Sequence, residues 1–234
     1  MSINTFSKYN SRRSDVLGLN GSIATSHPLA ANAGLDILKK GGNAIDAAIA
    51  AAAALNVVEP MSTGIGGDVF ALIYLNSNSK IIALNGSGRS GSKADLQYIK
   101  DNGFKEIPSE GPKSGLSVSV PGAVDAWEEL SKKYGNFSLD TILAPAIDLA
   151  INGFPVSEII ADYWYKSEKK LSINENCDFL INNKSPKFGD KFVNPNLGNT
   201  LKNIAENGKK YFYHGEVPEK IISYLSKFDG FLTE

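Results

Sequence analysis

The chain has 234 residues, enough for one sizeable core and one or at most two domains. Its hydrophobic share of 42% and charged share of 21% are ordinary for a globular protein, and a formal net charge of −1 gives no argument for nucleic acid or an anionic membrane as partner. A single cysteine, Cys177, excludes an internal disulfide and, lacking a His/Asn signature nearby, reads as an incidental thiol.

Residues 1–20 read as an extended lead-in, and residues 21–234 as one continuous unit without a linker or repeat. Arg12 and Arg13 are followed by no apolar stretch of the kind a secretory signal needs. The most apolar long window, Ala44 to Val58, contains Asp46 and Asn56 and is too short to span a bilayer. The expectation is a cytoplasmic protein with no membrane contact.

Ile23-Ala24-Thr25 reads as a short strand, and His27-Pro28 as the start of a helix, because proline suits a first-turn position. His27 is expected to cap or to be buried rather than to bind metal. Leu29, Ala33, Leu35, Ile37 and Leu38 give this helix an apolar face, and Gly41-Gly42 end it. Asn43 then caps a second helix with Asp46 in its first turn. From Ala47 to Ala54 that helix is apolar all round, which predicts burial.

The turn Gly64-Ile65-Gly66-Gly67-Asp68 leads into Val69–Leu75, a near-continuous apolar run typical of a central strand, with Ile81–Leu84 as an antiparallel neighbour. The turn superficially resembles a phosphate-cradling loop. A dinucleotide fingerprint, however, has a strand before the glycines and a helix after them, and here the order is reversed. The loop Asn85-Gly86-Ser87-Gly88-Arg89-Ser90-Gly91 follows the second strand. Its glycines expose backbone N–H groups, and Arg89 supplies a planar fork suited to a carboxylate. The bland alternative is a surface turn with a solvated arginine.

Further on, Leu116–Val120 alternates like a strand and Pro121-Gly122 opens a helix running through Leu130. Leu139–Ile151 forms another, stopped by Asn152-Gly153. Pro155–Leu171 forms a third, with Ile159, Ile160, Tyr163 and Trp164 on its apolar side. Lys166, Lys169 and Lys170 near its end read as a solvated helix terminus rather than a binding patch. Ser172 to Asn196 is Asn-rich and loop-like, and helices near Thr200–Asn207 and Pro218–Lys227 close the chain. Strands and helices in this order imply α+β or α/β layers. No Ser-His-Asp set, HExxH or Gly-x-Ser-x-Gly motif is present, and His27 and His214 lie at no metal-ligand spacing.

Four segments resemble the gamma-glutamyltransferase (gamma-glutamyltranspeptidase) family. They are ATSHPLAANAGLDILKKGGNAIDAAIAAAAALNVVEPMSTGIGGDVFALIY, SVSVPGAVDAW, YGNFSLDTILAPAIDLAINGFPVS, and GKKYFYHGEVPEKII with the final GFLTE. The resemblance runs from about residue 17 onward and implies the N-terminal part of the large subunit. It also implies an α+β N-terminal-nucleophile hydrolase, a four-layer αββα sandwich incomplete in this chain. Such an enzyme cleaves itself to free a threonine whose α-amino group is the general base for attack on an amide carbonyl. Donors in an oxyanion hole stabilise the tetrahedral intermediate. No metal or organic cofactor is implied. The implied partners are a C-terminal small subunit carrying the threonine and a small-molecule amide or gamma-glutamyl substrate such as glutathione.

The chain departs from the family pattern in three places. It stops at Phe231-Leu232-Thr233-Glu234, where the large subunit normally continues, so no catalytic nucleophile is expected in it; Thr25-Ser26-His27 resembles the threonine motif but leads into a helix. The place of the arginine that pairs with the substrate's α-carboxylate falls on Ser87, with Arg89 two residues later. This NGSGR pattern is closer to the acylase and oxamate-amidohydrolase-like branch and leaves Arg89 as the substrate-binding candidate. No secretory signal is present, unlike secreted members. The chain alone is then expected to be inactive, with a non-catalytic, partner-dependent fragment as the alternative.

Overall fold

The computed structural model describes residues 15–173 and 177–233. Residues 1–14 of the expected lead-in, part of the Asn-rich loop, and Glu234 lie outside the described residues, and 15–20 carry no helix or strand.

The helical framework begins with α1 (Pro28–Lys39). Burial of His27 is only part of its role. Its Nδ1 accepts from the Leu29 N–H at 3.1 Å and so caps the helix. Gly41 has φ 101°, its N–H bonds to Leu38 O at 3.1 Å, and Gly42 N–H bonds to Ile37 O at 3.0 Å. That pair of bonds is a Schellman motif, which needs a residue tolerant of positive φ. The chain passes directly into α2 (Ala44–Val58), where Asn43 and Asp46 form a reciprocal capping box.

Helix α2 packs between α1 and α5 (Leu139–Asn152), and α5 packs on α7 (Pro195–Asn207). Alanine dominates the centre of α2 because its neighbours approach closely. Ala47, Ala50, Ala53 and Ala54 have no exposed surface at all. The prediction of burial all round is corrected on one side, since Ala48 is exposed and Ile45 and Ala52 are half-buried. They line an open apolar groove beside β1 (Val69–Leu75), so that stripe of the helix is not covered by the described chain.

Strand β1 pairs antiparallel with β2 (Lys80–Gly86), Leu72 opposite Ala83, and with no other strand among the described residues. The apolar run predicted as a central strand is therefore half of a hairpin. Phe70, Leu72 and Tyr74 are 71%, 77% and 61% exposed on its outer face. A sandwich puts a second layer against such a face, and the helices of this chain cover only the other one. The result is mixed helix and sheet, a partial α+β fold.

Two other predicted strands are corrected. Ile23-Ala24-Thr25 is irregular, because no strand lies beside it to bond its backbone. Leu116–Val120 is not a strand either. Ser114–Ser117 is a turn of 3-10 helix, and beyond it Val120 N–H bonds singly to Arg89 O at 2.9 Å. A short helix absent from the expectations, α3 (Leu96–Asp101), is capped by Asp95.

The remaining helices are α4 (Ala123–Tyr134), α6 (Glu158–Leu171), α8 (Lys209–Tyr213) and α9 (Glu216–Leu225). Of the four residues expected on the apolar side of α6, Ile160 and Trp164 are buried while Ile159 and Tyr163 are exposed. Trp164 stacks edge-on against Phe192 at 4.6 Å and donates from Nε1 to Phe179 O at 2.8 Å. Phe192 belongs to a two-residue pairing of β3 (Phe154–Pro155) with β4 (Lys191–Phe192), which anchors the long loop. Cys177 is a free, half-buried thiol. No helix among the described residues is long and apolar enough to cross a membrane.

Candidate active site

The hairpin delivers three distant segments to one place. The first is the Gly64–Asp68 turn, which receives the chain from α2 and feeds β1. The second is the Asn85–Gly91 loop leaving β2. The third is Val120–Ala123, which opens α4. Gly122 stands at the helix start with no side chain to cap it, and the Gly67 carbonyl takes that role by accepting from Gly122 N–H and Ala123 N–H, both at 3.0 Å.

The second and third segments are packed without space. A Cβ at Gly88 would lie 1.5 Å from Val120 O, and one at Gly122 would lie 1.9 Å from Gly86 O. Glycine is required at both positions by close backbone approach. Gly64 and Gly66 differ, because a Cβ at either would enter open space. The described chain makes no use of their smallness.

Arg89 sits on this knot. Its carbonyl accepts from Val120 N–H, while its side chain is exposed and makes no ion pair or hydrogen bond among the described residues. Asp68 reaches across from the first segment: Oδ1 accepts from Gly88 N–H at 3.1 Å, and Oδ2 lies 3.5 Å from the Ser87 hydroxyl, which donates to it. Asn85 Oδ1 accepts from Ser87 N–H at 2.9 Å and tightens the same turn. The sequence drew attention to the glycines of the first turn and to Arg89, but not to the Asp68 carboxylate between them.

Beyond Val120 lies an open groove of about 280 Å³ lined by Val120, Pro121, Tyr213, His214, Leu232 and Thr233. Tyr213 donates from its hydroxyl to Pro121 O at 2.7 Å and accepts from Asp125 N–H at 3.1 Å. Burial raises its pKa, so the phenol stays a donor. Lys209 pairs with Asp125, and Glu128 is buried against Lys132 and the Lys209 N–H. Burial alone would raise the Glu128 carboxyl; those two donors outweigh it and hold the pKa below the ordinary range.

The last described residues brace the other side of the loop. Lys93 N–H donates to Phe231 O at 3.4 Å, Ser92 and Thr233 share a hydroxyl bond of 2.6 Å, and Gly91 lies directly against the Phe231 backbone. Asp229 accepts from Lys113 at 2.9 Å and from Tyr98 at 3.2 Å.

His27 belongs to the helical framework, where it caps α1. Its Nε2 is buried without a partner, and burial lowers its pKa against an opposing pull from Glu59. Thr25 and Ser26 lie on the irregular segment just before His27. Among the described residues no three His, Cys, Asp or Glu side chains gather as a metal site.

The fold matches solved N-terminal-nucleophile enzymes of two kinds. It superposes on a cephalosporin acylase from Bacillus halodurans with a TM-score of 0.86 at 41% identity, covering 100% of this chain and 44% of that one. It also superposes on the Helicobacter pylori gamma-glutamyltranspeptidase with a TM-score of 0.85 at 33% identity, covering 94% of this chain and 64% of that one. A family model described as Gamma-glutamyltranspeptidase matches residues 30–234, and the chain belongs to that family, corresponding to the N-terminal part of its large subunit. Two curated relatives from Bacillus subtilis are a glutathione hydrolase-like YwrD proenzyme, 39% identical, and a glutathione hydrolase proenzyme, 37% identical; each alignment covers 93% of this chain. The chain spans 41% and 38% of their lengths.

Proposed function

We propose that this chain is the substrate-holding part of an amide hydrolase or acyltransferase of the gamma-glutamyltransferase type. Arg89 binds a carboxylate on the acyl part of the substrate, glutathione or another gamma-glutamyl or amide compound. The observation that carries the reading is an exposed guanidinium, without a partner among the described residues, on a loop whose backbone is fixed from three sides. Such a loop presents a bidentate donor at little entropic cost, which is what carboxylate recognition needs.

The chemistry falls to a threonine on a further segment, outside these 234 residues. Its hydroxyl attacks the amide carbon and its α-amino group takes the proton. The leaving amine departs, and water or an acceptor amine then releases the acyl group. That relatives are named proenzymes supports a longer precursor cut in two. The exposed Phe70, Leu72 and Tyr74 face, and the open space beside Gly64 and Gly66, support a second polypeptide segment lying against the hairpin.

The same bare face favours a second reading, a non-catalytic chain whose role depends on its partner. Mixing the chain with a candidate C-terminal subunit and assaying amide hydrolysis separates the two. Activity in the mixture alone supports the enzyme; activity in neither supports the second reading.

A further inference from the structure

We infer that Asp68 is a positioning residue for Arg89: its carboxylate holds the Gly88 N–H and so fixes the direction from which the guanidinium leaves the loop. The inference rests on the carboxylate-binding reading of Arg89 given above. Asp68 stands at the junction where the glycine turn becomes β1, so its backbone is set by the hairpin register, Val69 opposite Gly86. The preceding carbonyl, Gly67 O, holds the start of α4. One dipeptide therefore ties both other segments to the hairpin, by a carbonyl on one side and a carboxylate on the other.

Close packing against Val120 sets where the loop lies, but few hydrogen bonds set the orientation of its peptides next to Arg89. Val120 holds the Arg89 carbonyl, on the far side of the residue, and Asn85 holds Ser87. Gly88 itself has no side chain, and its N–H has Asp68 as its partner at 3.1 Å. Without that bond the Ser87–Gly88 peptide loses its hydrogen-bond partner one residue before Arg89, at a glycine whose own dihedrals restrict it little. A hydrogen bond to a charged acceptor is the stronger kind, which suits a single bond fixing a loop.

A negative carboxylate near an anion-binding arginine opposes the anion, so an electrostatic role predicts that any neutral substitution tightens binding. A positioning role predicts that the shape of the acceptor matters. Asp68→Asn keeps an oxygen for Gly88 N–H and loses the charge, whereas Asp68→Ala loses both.

The experiment uses the assembled enzyme, this chain together with the nucleophile-bearing segment, with a carboxylate-bearing gamma-glutamyl anilide as probe. Asp68→Ala is expected to raise KM about tenfold with kcat within about twofold, the scale of one lost charge-assisted bond. Asp68→Asn is expected at or below the wild-type KM. Because Asp68 is exposed, the Tm of either variant should move little. In the isotope-labelled chain, amide exchange at Gly88 should quicken about tenfold or more in Asp68→Ala and stay slow in Asp68→Asn. Unchanged KM and unchanged Gly88 exchange in Asp68→Ala would overturn the inference, as would equal gains in affinity from both substitutions. Arg89→Ala separates the two claims. If it leaves KM unchanged, the carboxylate reading of Arg89 fails and the positioning inference goes with it. If it raises KM while Asp68→Ala does not, only the positioning inference fails.

Discussion

The helical framework and the hairpin side of this molecule are built to different standards of completeness. Around α2 the buried carboxylate is satisfied within the chain, although His27 Nε2 and Trp127 Nε1 are buried without a hydrogen-bond partner among the described residues. Asp46 is fully buried and accepts from the N–H groups of Asn43, Asn136 and Phe137, so it closes its own helix and the turn between α4 and α5 together. On the hairpin side the reverse holds. Phe70, Leu72 and Tyr74 face solvent, and Arg89 has no ionic partner among the described residues. One region spends its interactions within the chain and the other keeps them available. The contrast teaches that the unfilled side of the molecule is the one on which the proposed partner and substrate sites rest.

The largest effect is expected where the framework is broken at its most satisfied point. Asp46→Ala removes the buried acceptor of the part-buried Asn43, Asn136 and Phe137 N–H groups, and the chain should lose about 3–4 kcal/mol of stability, read as a lower urea midpoint. Gly122→Ala attacks the junction of the two regions, because its Cβ would meet Gly86 O at 1.9 Å. About 1–3 kcal/mol should be lost, with amide exchange at Val120 quickening while α2 amides stay protected.

A smaller effect follows from His27, whose burial lowers its pKa. Folding favours the neutral ring, so the unfolded chain binds more protons than the folded one below about pH 6.5. The His27 contribution is full above that pH and is lost as pH falls through the lowered folded value. His27→Asn keeps a cap acceptor, and the slope of stability between pH 6.5 and lower pH should flatten in a denaturation series. The smallest effect on stability belongs to the bare face. Leu72→Gln should change the stability of the chain by less than about 0.5 kcal/mol, yet weaken its association with a C-terminal subunit about tenfold or more in a titration.

The framework was the legible part of the sequence. Asn43 with Asp46, Gly41-Gly42 and His27-Pro28 are local signals, each acting within four residues, and each marks a helix end where the structure has one. The hairpin was legible too, since its turn and apolar runs are contiguous. One failure was tertiary and one was local. Leu116–Val120 has the alternation of a strand, but alternation gives burial and not a neighbour, and the only ladder-like bond it makes is Val120 to Arg89. The helix Leu96–Asp101 hid in a polar stretch with no buried face to mark it.

Arg89 could be singled out because an arginine among glycines at a strand end is locally unusual. The Asp68 to Gly88 bond could not, because the two residues are brought together only by the β1–β2 register. Ser87, where the family resemblance places a carboxylate-binding arginine, instead turns its hydroxyl toward Asp68. The family was legible from GGNAIDAA and GIGGD, and those motifs build the support of the site rather than its reactive group.

The central claim is that this chain holds the substrate's carboxylate through Arg89 while another segment supplies the nucleophile. The direct measurement is KM for a carboxylate-bearing gamma-glutamyl anilide in the reconstituted pair, with Arg89 and with Arg89→Ala. Turnover is expected only when both segments are present, with a KM at least about tenfold higher without the guanidinium. Turnover by the chain alone, or a reconstituted pair indifferent to Arg89→Ala, would contradict the claim.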